Sequence, residues 1–464
     1  MYQQKARVKR AQKQQACGED IRITLPEIHW RLAMKKMTIL VVLFVLFSPF
    51  LFAGEKLSTD ELLQNLKAND ARVRENAAKE LGDRGEKLGL DALIQVTADK
   101  DEDVQLAAVK AIGQINDPRQ VTALSQAIRN SRGKAQKEAI HELTEHYIPS
   151  RDMNALQELW GTIGKLFNPP HPIIAEPWIK VDPEAIDAIV FVLDDKNSVN
   201  RLEAAATLGI LRAAPALPRL VFYLKSPNDA VVQTSVRSIG YIGKSEAGAD
   251  LVPLLKHPDK DVVMDTVRVL GQFRYRPALP ELQHFLDYTN DKEYRRVALQ
   301  AISRIGDPSS EPTIRKYMSS DDKELRQYAI EGVGRMGLQG YRDGLQRDFQ
   351  RDGSKQIKLA LCYSLFALGD RAYIDTLVRS LDDRMYRDQV REYFMELGSA
   401  AVPEMANYLR GSEKDYKVKI IRMLGDMHQP GAIEILEPYL KDQDLEIAQA
   451  ATDAIRELKQ VQSV

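Results

Sequence analysis

Cysteine is almost missing from this chain. Of its 464 residues only Cys17 and Cys362 carry a thiol. Cys17 lies upstream of the long apolar run, so the body has no pair to join and must be held by packing alone. Cys362 falls on an apolar helical stripe, where a thiol is structural rather than catalytic. No alternating strand pattern is present, and so no glycine-rich loop follows a strand to cradle a phosphate. A serine nucleophile elbow is absent for the same reason. Histidine is scarce, at seven residues. The one promising group, His141-Glu142-Leu143-Thr144-Glu145-His146, spaces its histidines five apart, whereas two ligands on one helix face need a separation of four. No metal and no cofactor is expected. A strong positive charge is lacking too. Residues 1–36 hold nine Lys/Arg against three Asp/Glu, about +6, and the formal total is -1, so the remainder carries about -7. A mildly acidic body has no general surface for a phosphate backbone, and no nucleic-acid partner is expected.

What the chain does have is a beat. Leu81-Gly82, Ile112-Gly113, Leu208-Gly209, Ile239-Gly240, Leu270-Gly271, Val333-Gly334, Leu397-Gly398 and Leu424-Gly425 recur at nearly fixed spacing. Leu143, Ile302, Leu365 and Ile455 hold the same place without the glycine. The intervals are 31 residues for 81 to 112, 112 to 143, 208 to 239, 239 to 270, 302 to 333 and 424 to 455, and 32 for 270 to 302, 333 to 365 and 365 to 397. A period of that length signals stacked helical hairpins around one continuous core.

Aligning on the anchor exposes further columns. Eleven residues earlier stand Asp70, Asp101, Asn197, Asn228, Asp259, Asp291, Asp322, Ser354 and Asp444, side chains that cap the first turn of a helix. Val73, Val104, Val231, Val262, Leu325 and Ile447 come eight before it. Small or apolar pairs such as Ala77-Ala78, Ala108-Val109, Ala204-Ala205, Ala298-Leu299 and Ala329-Ile330 come four and three before it. These spacings put every column on one helical stripe with the anchor. The anchor glycine either closes the helix or relieves crowding. Asp117-Pro118 and Asp307-Pro308 open the next helix with a cap and a proline.

The columns resemble those of HEAT repeats, specifically the short bacterial type named after phycobilisome lyases. The signature reads here as Asp70, Val73-Arg74, Ala77-Ala78 and Leu81-Gly82, and Arg201, Arg295, Arg326, Lys358 and Lys417 return to the arginine place. Gln105, Val232 and Val263 depart from it. The resemblance covers about residues 57–460 and implies an all-α fold, a right-handed α-α superhelix of the armadillo type with about twelve helical hairpins. Members of the family mostly bind proteins, and some handle tetrapyrrole chromophores or act on nucleic acid. The implied function is a binding scaffold without catalysis of its own. A lyase-like or cofactor-handling protein and a membrane-tethered assembly factor are the rivals.

Ahead of the repeats, Lys35-Lys36 precede the apolar run Thr38–Phe47, then Ser48-Pro49 and Ala53-Gly54. A charged start, a short apolar stretch and a small residue before polar sequence make a secretory signal. Cleavage is expected after Ala53, giving a periplasmic or extracellular protein. Left uncut, residues 38–53 become an inner-membrane anchor, the one membrane link expected. Residues 1–33 read as a basic extension outside the mature fold, with Met34 as the natural start. The reading is thus 1–33 extension, 34–53 signal or anchor, 54–146 first repeats, 147–185 irregular insert or degenerate repeat, and 186–464 further repeats.

Two places stand out for partner contact. Between anchors 143 and 208 lie 65 residues without a good anchor. Here Trp160, Phe167, Asn168-Pro169-Pro170-His171-Pro172, Glu176-Pro177-Trp178 and Asp182-Pro183 stiffen the chain. Such aromatic, proline-rich excursions suit interface hot spots, or else fill the gap left by a worn-out unit. The second place is the ladder two residues before each anchor: Lys79, Lys110, His141, Ala206, Arg237, Arg268, Gln300, Glu331, Tyr363, Met395, Arg422 and Asp453. Its early half is basic, and Arg237, Arg268, Arg274, Tyr275 and Arg276 form the densest cationic group. Either this is an ordinary solvated face, or an acidic protein seats against it.

Overall fold

The computed structural model describes residues 57–148 and 174–462. The segments 1–33 and 34–53, with Trp160, Phe167 and His171, lie outside the described residues. Two compact units are distinguished, Met1–Glu61 and Leu62–Val464. Of the first, residues 57–61 are described, and they begin a helix with a reciprocal cap in which Ser58 and Glu61 each accept from the other's backbone N–H.

Among the described residues every regular element is helical, and the helices pair into twelve hairpins. The first four are α1–α2 (Thr59–Asn65, Ala71–Asp83), α3–α4 (Leu90–Val96, Glu102–Gln114), α5–α6 (Gln120–Asn130, Gly133–Tyr147) and α7–α8 (Pro183–Asp194, Arg201–Ile210). Next come α9–α10 (Leu217–Tyr223, Asp229–Ile242), α11–α12 (Gly248–Leu251, Lys260–Gln272), α13–α14 (Leu279–Tyr288, Lys292–Ile305) and α15–α16 (Glu311–Tyr317, Lys323–Arg335). The last four are α17–α18 (Arg342–Arg351, Lys355–Ala367), α19–α20 (Ile374–Arg379, Arg387–Leu397), α21–α22 (Val402–Gly411, Lys414–Asp426) and α23–α24 (Ala432–Leu436, Leu445–Gln462). Even-numbered helices stack on one another along the chain.

The capping column works largely as its chemistry requires. Asp101, Asn228, Asp259, Asp291 and Asp322 each accept from two backbone N–H groups of the following turn, satisfying donors that no helical carbonyl can reach. Two members differ. Ser354 stands at the cap position without making the bond. Asn197 lies in a turn, and α8 starts late, after Asn200, because Ser198 and Asn200 are tied to Gln136 and to the carbonyl of Gly133. The signature arginine stitches the hairpin together: Arg74 forks onto Asp99 at 2.7 Å through two nitrogens and onto the carbonyls of Ala68 and Asn69.

The anchor glycines relieve crowding. A Cβ on Gly271 would stand 2.7 Å from the Cα of Ala301, and one on Gly82 2.6 Å from the Cα of Ala111. An even helix that carries an anchor glycine thus presses it against the residue before the next anchor, bringing backbones together as small-residue packing permits. At the α14/α16 junction the small residue comes from the other side, Gly332 facing Ser303. Three junctions lack any glycine. Thr144 and Thr207 occupy the places at α6/α8, Phe366 occupies one at α18/α20, and Met395 and Met423 stand at α20/α22. These pairs pack less closely than the rest.

Phe366 divides the interior. One core cluster runs from Leu62 to Leu368 and a second from Leu359 to Leu458. Helix α18 serves both, with Ile357, Leu361 and Leu365 in the first and Leu359, Cys362, Tyr363 and Phe366 in the second. The tenth hairpin also shifts register. Leu397, read as its anchor, is only half-buried, whereas Val390, Tyr393 and Phe394 are buried. Phe394 is the working anchor. Gly398, at φ 51 and ψ -133, then turns the chain out of the helix, a conformation that side chains resist.

Candidate partner-binding surface

Across the break, α7 packs on α5 and α8 neighbours α6. The 65 residues from Leu143 to Leu208 therefore advance the stack by one hairpin. The seam is polar: the Tyr147 hydroxyl donates to Asp182 at 2.7 Å, and Thr122 donates to Glu184 at 2.9 Å. Trp178 is half-buried, with its ring edge-to-face against His428 at 5.5 Å, between α22 and α23. That contact joins the approach to the fourth hairpin with the end of the eleventh.

The basic ladder is extensively neutralised. Lys79 pairs with Glu75, and Lys110 lies 3.4 Å from Glu138. His141 and Lys137 both reach Glu203. Arg237 and Arg268 converge on one carboxylate, Asp265, at 2.6 and 3.0 Å, and Asp265 also accepts from Gln233. With its side chain 6% exposed, that one carboxylate holds both guanidinium groups and offsets one of their two charges. Glu331 and Tyr363, read as outward members, are buried.

Arg274, Tyr275 and Arg276 diverge. Arg274 holds a left-handed backbone, φ 49, at the helix-ending place where Gly243 and Gly306 sit in neighbouring hairpins. Arg212 and His428 fill the same place with φ 50 and 51. A side chain there strains the backbone by about 1–2 kcal/mol. Tyr275 packs into the core and covers Gly248. Arg276 is largely exposed and stands 3.5 Å from Asp307.

A polar cluster that the repeat columns did not reveal lies farther along. Arg335, its side chain 4% exposed, holds Glu331 at 3.0 Å and Glu396 at 2.8 Å, and donates to Ser303. Tyr393 donates to Glu331, Tyr363 donates to Glu396, and the two tyrosine rings stack at 4.5 Å. Glu392 pairs with Arg304. Burial pushes the Glu396 carboxyl up, but Arg335 outweighs it and holds the group below its ordinary value. Helix α20 thus leans across α18 onto α16 and α14. The signal for this was Phe366 standing where a glycine belongs. Beside it, Arg268, Lys292, Arg296, Gln300, Glu324 and Tyr328 line an open groove of about 560 Å3. Its cations are paired as well, Arg296 with Asp322 and Glu324.

The remaining candidates for chemistry go separate ways. His141 turns to Glu203, and His146 to Gln120 at 3.2 Å. Among the described residues no group of three metal-ligating side chains converges, and no helix is long and apolar enough to cross a membrane. Burial pushes the Cys362 thiol up to about 12, far from a reactive thiolate. What the arrangement offers is a surface of fixed, alternating charges.

Comparison with known proteins agrees on architecture. The family model described as HEAT repeats matches residues 59–144, 222–303 and 286–365. A search of curated proteins finds no match. Among solved structures, an engineered protein is 17% identical over 87% of this chain and 99% of its own, with a TM-score of 0.39. Importin beta is 13% identical over 86% of this chain and 62% of its own, with a TM-score of 0.46. Kap121p is 13% identical over 86% of this chain and 57% of its own, with a TM-score of 0.45. The chain therefore spans under two thirds of the length of these last two. Twelve hairpins on one beat, capped, stitched and glycine-packed as described, belong to the family of HEAT repeats.

Proposed function

We propose that this chain is an exported scaffold of the bacterial envelope that binds another protein and catalyses nothing itself. One observation carries the reading: consecutive even helices present a row of charged side chains already fixed by partners on the same helix or the neighbouring hairpin. Pre-paired groups lose little freedom on binding and select partners by charge pattern. A HEAT-repeat stack characteristically serves protein interaction, although fold alone assigns no activity. Export rests on the leader, with Lys35-Lys36, the apolar run to Phe47 and the small residues Ala53-Gly54.

Affinity capture from the native envelope, followed by mass spectrometry, tests the scaffold. A defined protein should co-purify in stoichiometric amount. Recovery of the chain alone, or with a bound chromophore visible by absorbance, overturns the reading. Peptide mapping of the envelope fraction tests the leader. The mature protein should begin near Gly54, and peptides containing Tyr2 or Trp30 would refute both the start at Met34 and cleavage after Ala53.

A further inference from the structure

Arg129 and Arg132 are exposed, and neither pairs with a carboxylate among the described residues. What sets them apart from the stack's other unpaired arginines is that they meet at one ring. Their guanidinium groups lie over the same ring, Phe191, at 5.5 and 5.9 Å from its centroid. Two like charges held beside one ring repel each other. The arrangement persists because Arg132 is anchored, donating to the carbonyls of Arg129 at 3.0 Å and Ser131 at 2.8 Å. There it caps the end of α5, where a cation is favoured.

The strip continues onto the next hairpin. Asp194, at the end of α7, receives Arg219 and the Tyr223 hydroxyl. Arg219 in turn lies 5.0 Å over Phe222. Phe191 is 37% exposed, Phe222 61% and Val199 81%. Val199 sits in the turn whose Ser198 and Asn200 bind the start of α6, beside Arg132. Three large apolar side chains, three arginines and one aspartate thus share the face of the third, fourth and fifth hairpins. Aromatic and arginine side chains are the types enriched at interface centres. Two unmatched guanidinium groups call for carboxylates.

We infer that this face, built on Arg129, Arg132, Phe191, Arg219 and Phe222, docks an acidic peptide segment of a partner protein that interleaves carboxylates with large apolar side chains. Carboxylates take the free N–H edges of Arg129 and Arg132, relieving their repulsion, and apolar side chains cover Phe222 and Val199. An anionic membrane fits less well, because Asp194, its side chain 37% exposed, stands on the same face and repels anionic headgroups. This inference rests on the scaffold reading and adds where the partner sits and what it is made of.

The test uses the purified chain with a fluorescein-labelled twelve-residue peptide alternating Glu and Phe, its Lys-and-Phe counterpart, and vesicles of phosphatidylglycerol. The acidic peptide should bind, and binding should weaken at least about tenfold in R129E/R132E and in F222S. It should also weaken as salt rises from about 50 to 300 mM. Helicity should be unchanged in F222S, whose side chain is 61% exposed, so that variant separates lost binding from the lost α5 cap in R129E/R132E. No binding of the acidic peptide, equal binding of the basic one, indifference to R129E/R132E, or binding to vesicles alone overturns the proposal. If the native partner is still captured by R129E/R132E, this face fails while the scaffold reading stands.

Discussion

At the scale of single residues, the stack is decided by where a Cβ fits. Helix propensity alone makes Gly→Ala stabilising by about 1 kcal/mol. At Gly271 the Cα of Ala301, 2.7 Å from the added carbon, reverses that sign, because backbone cannot step aside as a flexible side chain can. Gly271→Ala should destabilise by about 1–3 kcal/mol in urea unfolding. Gly344→Ala, with open space around it in α17, should be neutral or stabilising. Glu142 offers a second reading at this scale. It covers Gly113, and burial, then Glu145 and Glu138, raise its carboxyl to about 7. The folded chain therefore holds a proton that the unfolded chain releases. Its contribution is fullest at low pH and is lost as pH climbs through the window from 4.5 to about 7. Glu142→Gln should leave the urea midpoint near pH 4 unchanged and raise stability at pH 8 by about 1–3 kcal/mol. Caps and anchors at this scale were legible in the sequence because each depends on neighbours within one helix. The fate of Arg237 was not, since Asp265 on α12 could be assigned to it only once adjacent helices were in register; Arg268, three residues from Asp265 on the same helix, was within reach of the local rule.

Among elements, α20 is the exception that organises its neighbours. Arg335 serves two carboxylates, so removing it leaves both buried and unmatched. Arg335→Met should cost about 3–5 kcal/mol, as expected for a broken buried pair. Amide exchange should quicken in α20 more than in α12, which takes no part in the network. Equal protection in both helices would show that the cluster does not hold α20 in place. The sequence misplaced this helix for a definite reason. Leu397-Gly398 imitates the anchor motif, yet Val390, Tyr393 and Phe394 form the inward stripe. The intervals 365 to 394 and 394 to 424 are 29 and 30 residues, shorter than the beat. The arginine–phenylalanine face was likewise readable in principle. Phe191 and Phe222 each stand seventeen residues before an anchor, Leu208 and Ile239 respectively, but they lie on odd helices, outside the columns that mark the even ones.

For the molecule as a whole, the all-helical repeat was evident from the beat, because a solenoid's contacts run between sequence neighbours. Its subdivision was not, because one phenylalanine among many apolar residues carries it. Two core clusters meeting in α18 should unfold separately. Leu424→Ala, in the second cluster, should lower protection across roughly residues 370–460 by about 2–5 kcal/mol and leave residues 60–290, which take no part in the Arg335 network, unchanged. A uniform loss along the chain would show one cooperative body. The glycine-free junctions also have a mechanical meaning. Where glycine welds most neighbouring pairs, larger side chains stand at α6/α8, α18/α20 and α20/α22, and tension drawn along the stack concentrates at these three. Such a chain behaves as a spring with softened coils, lengthening at chosen places while the stretches between them keep their form.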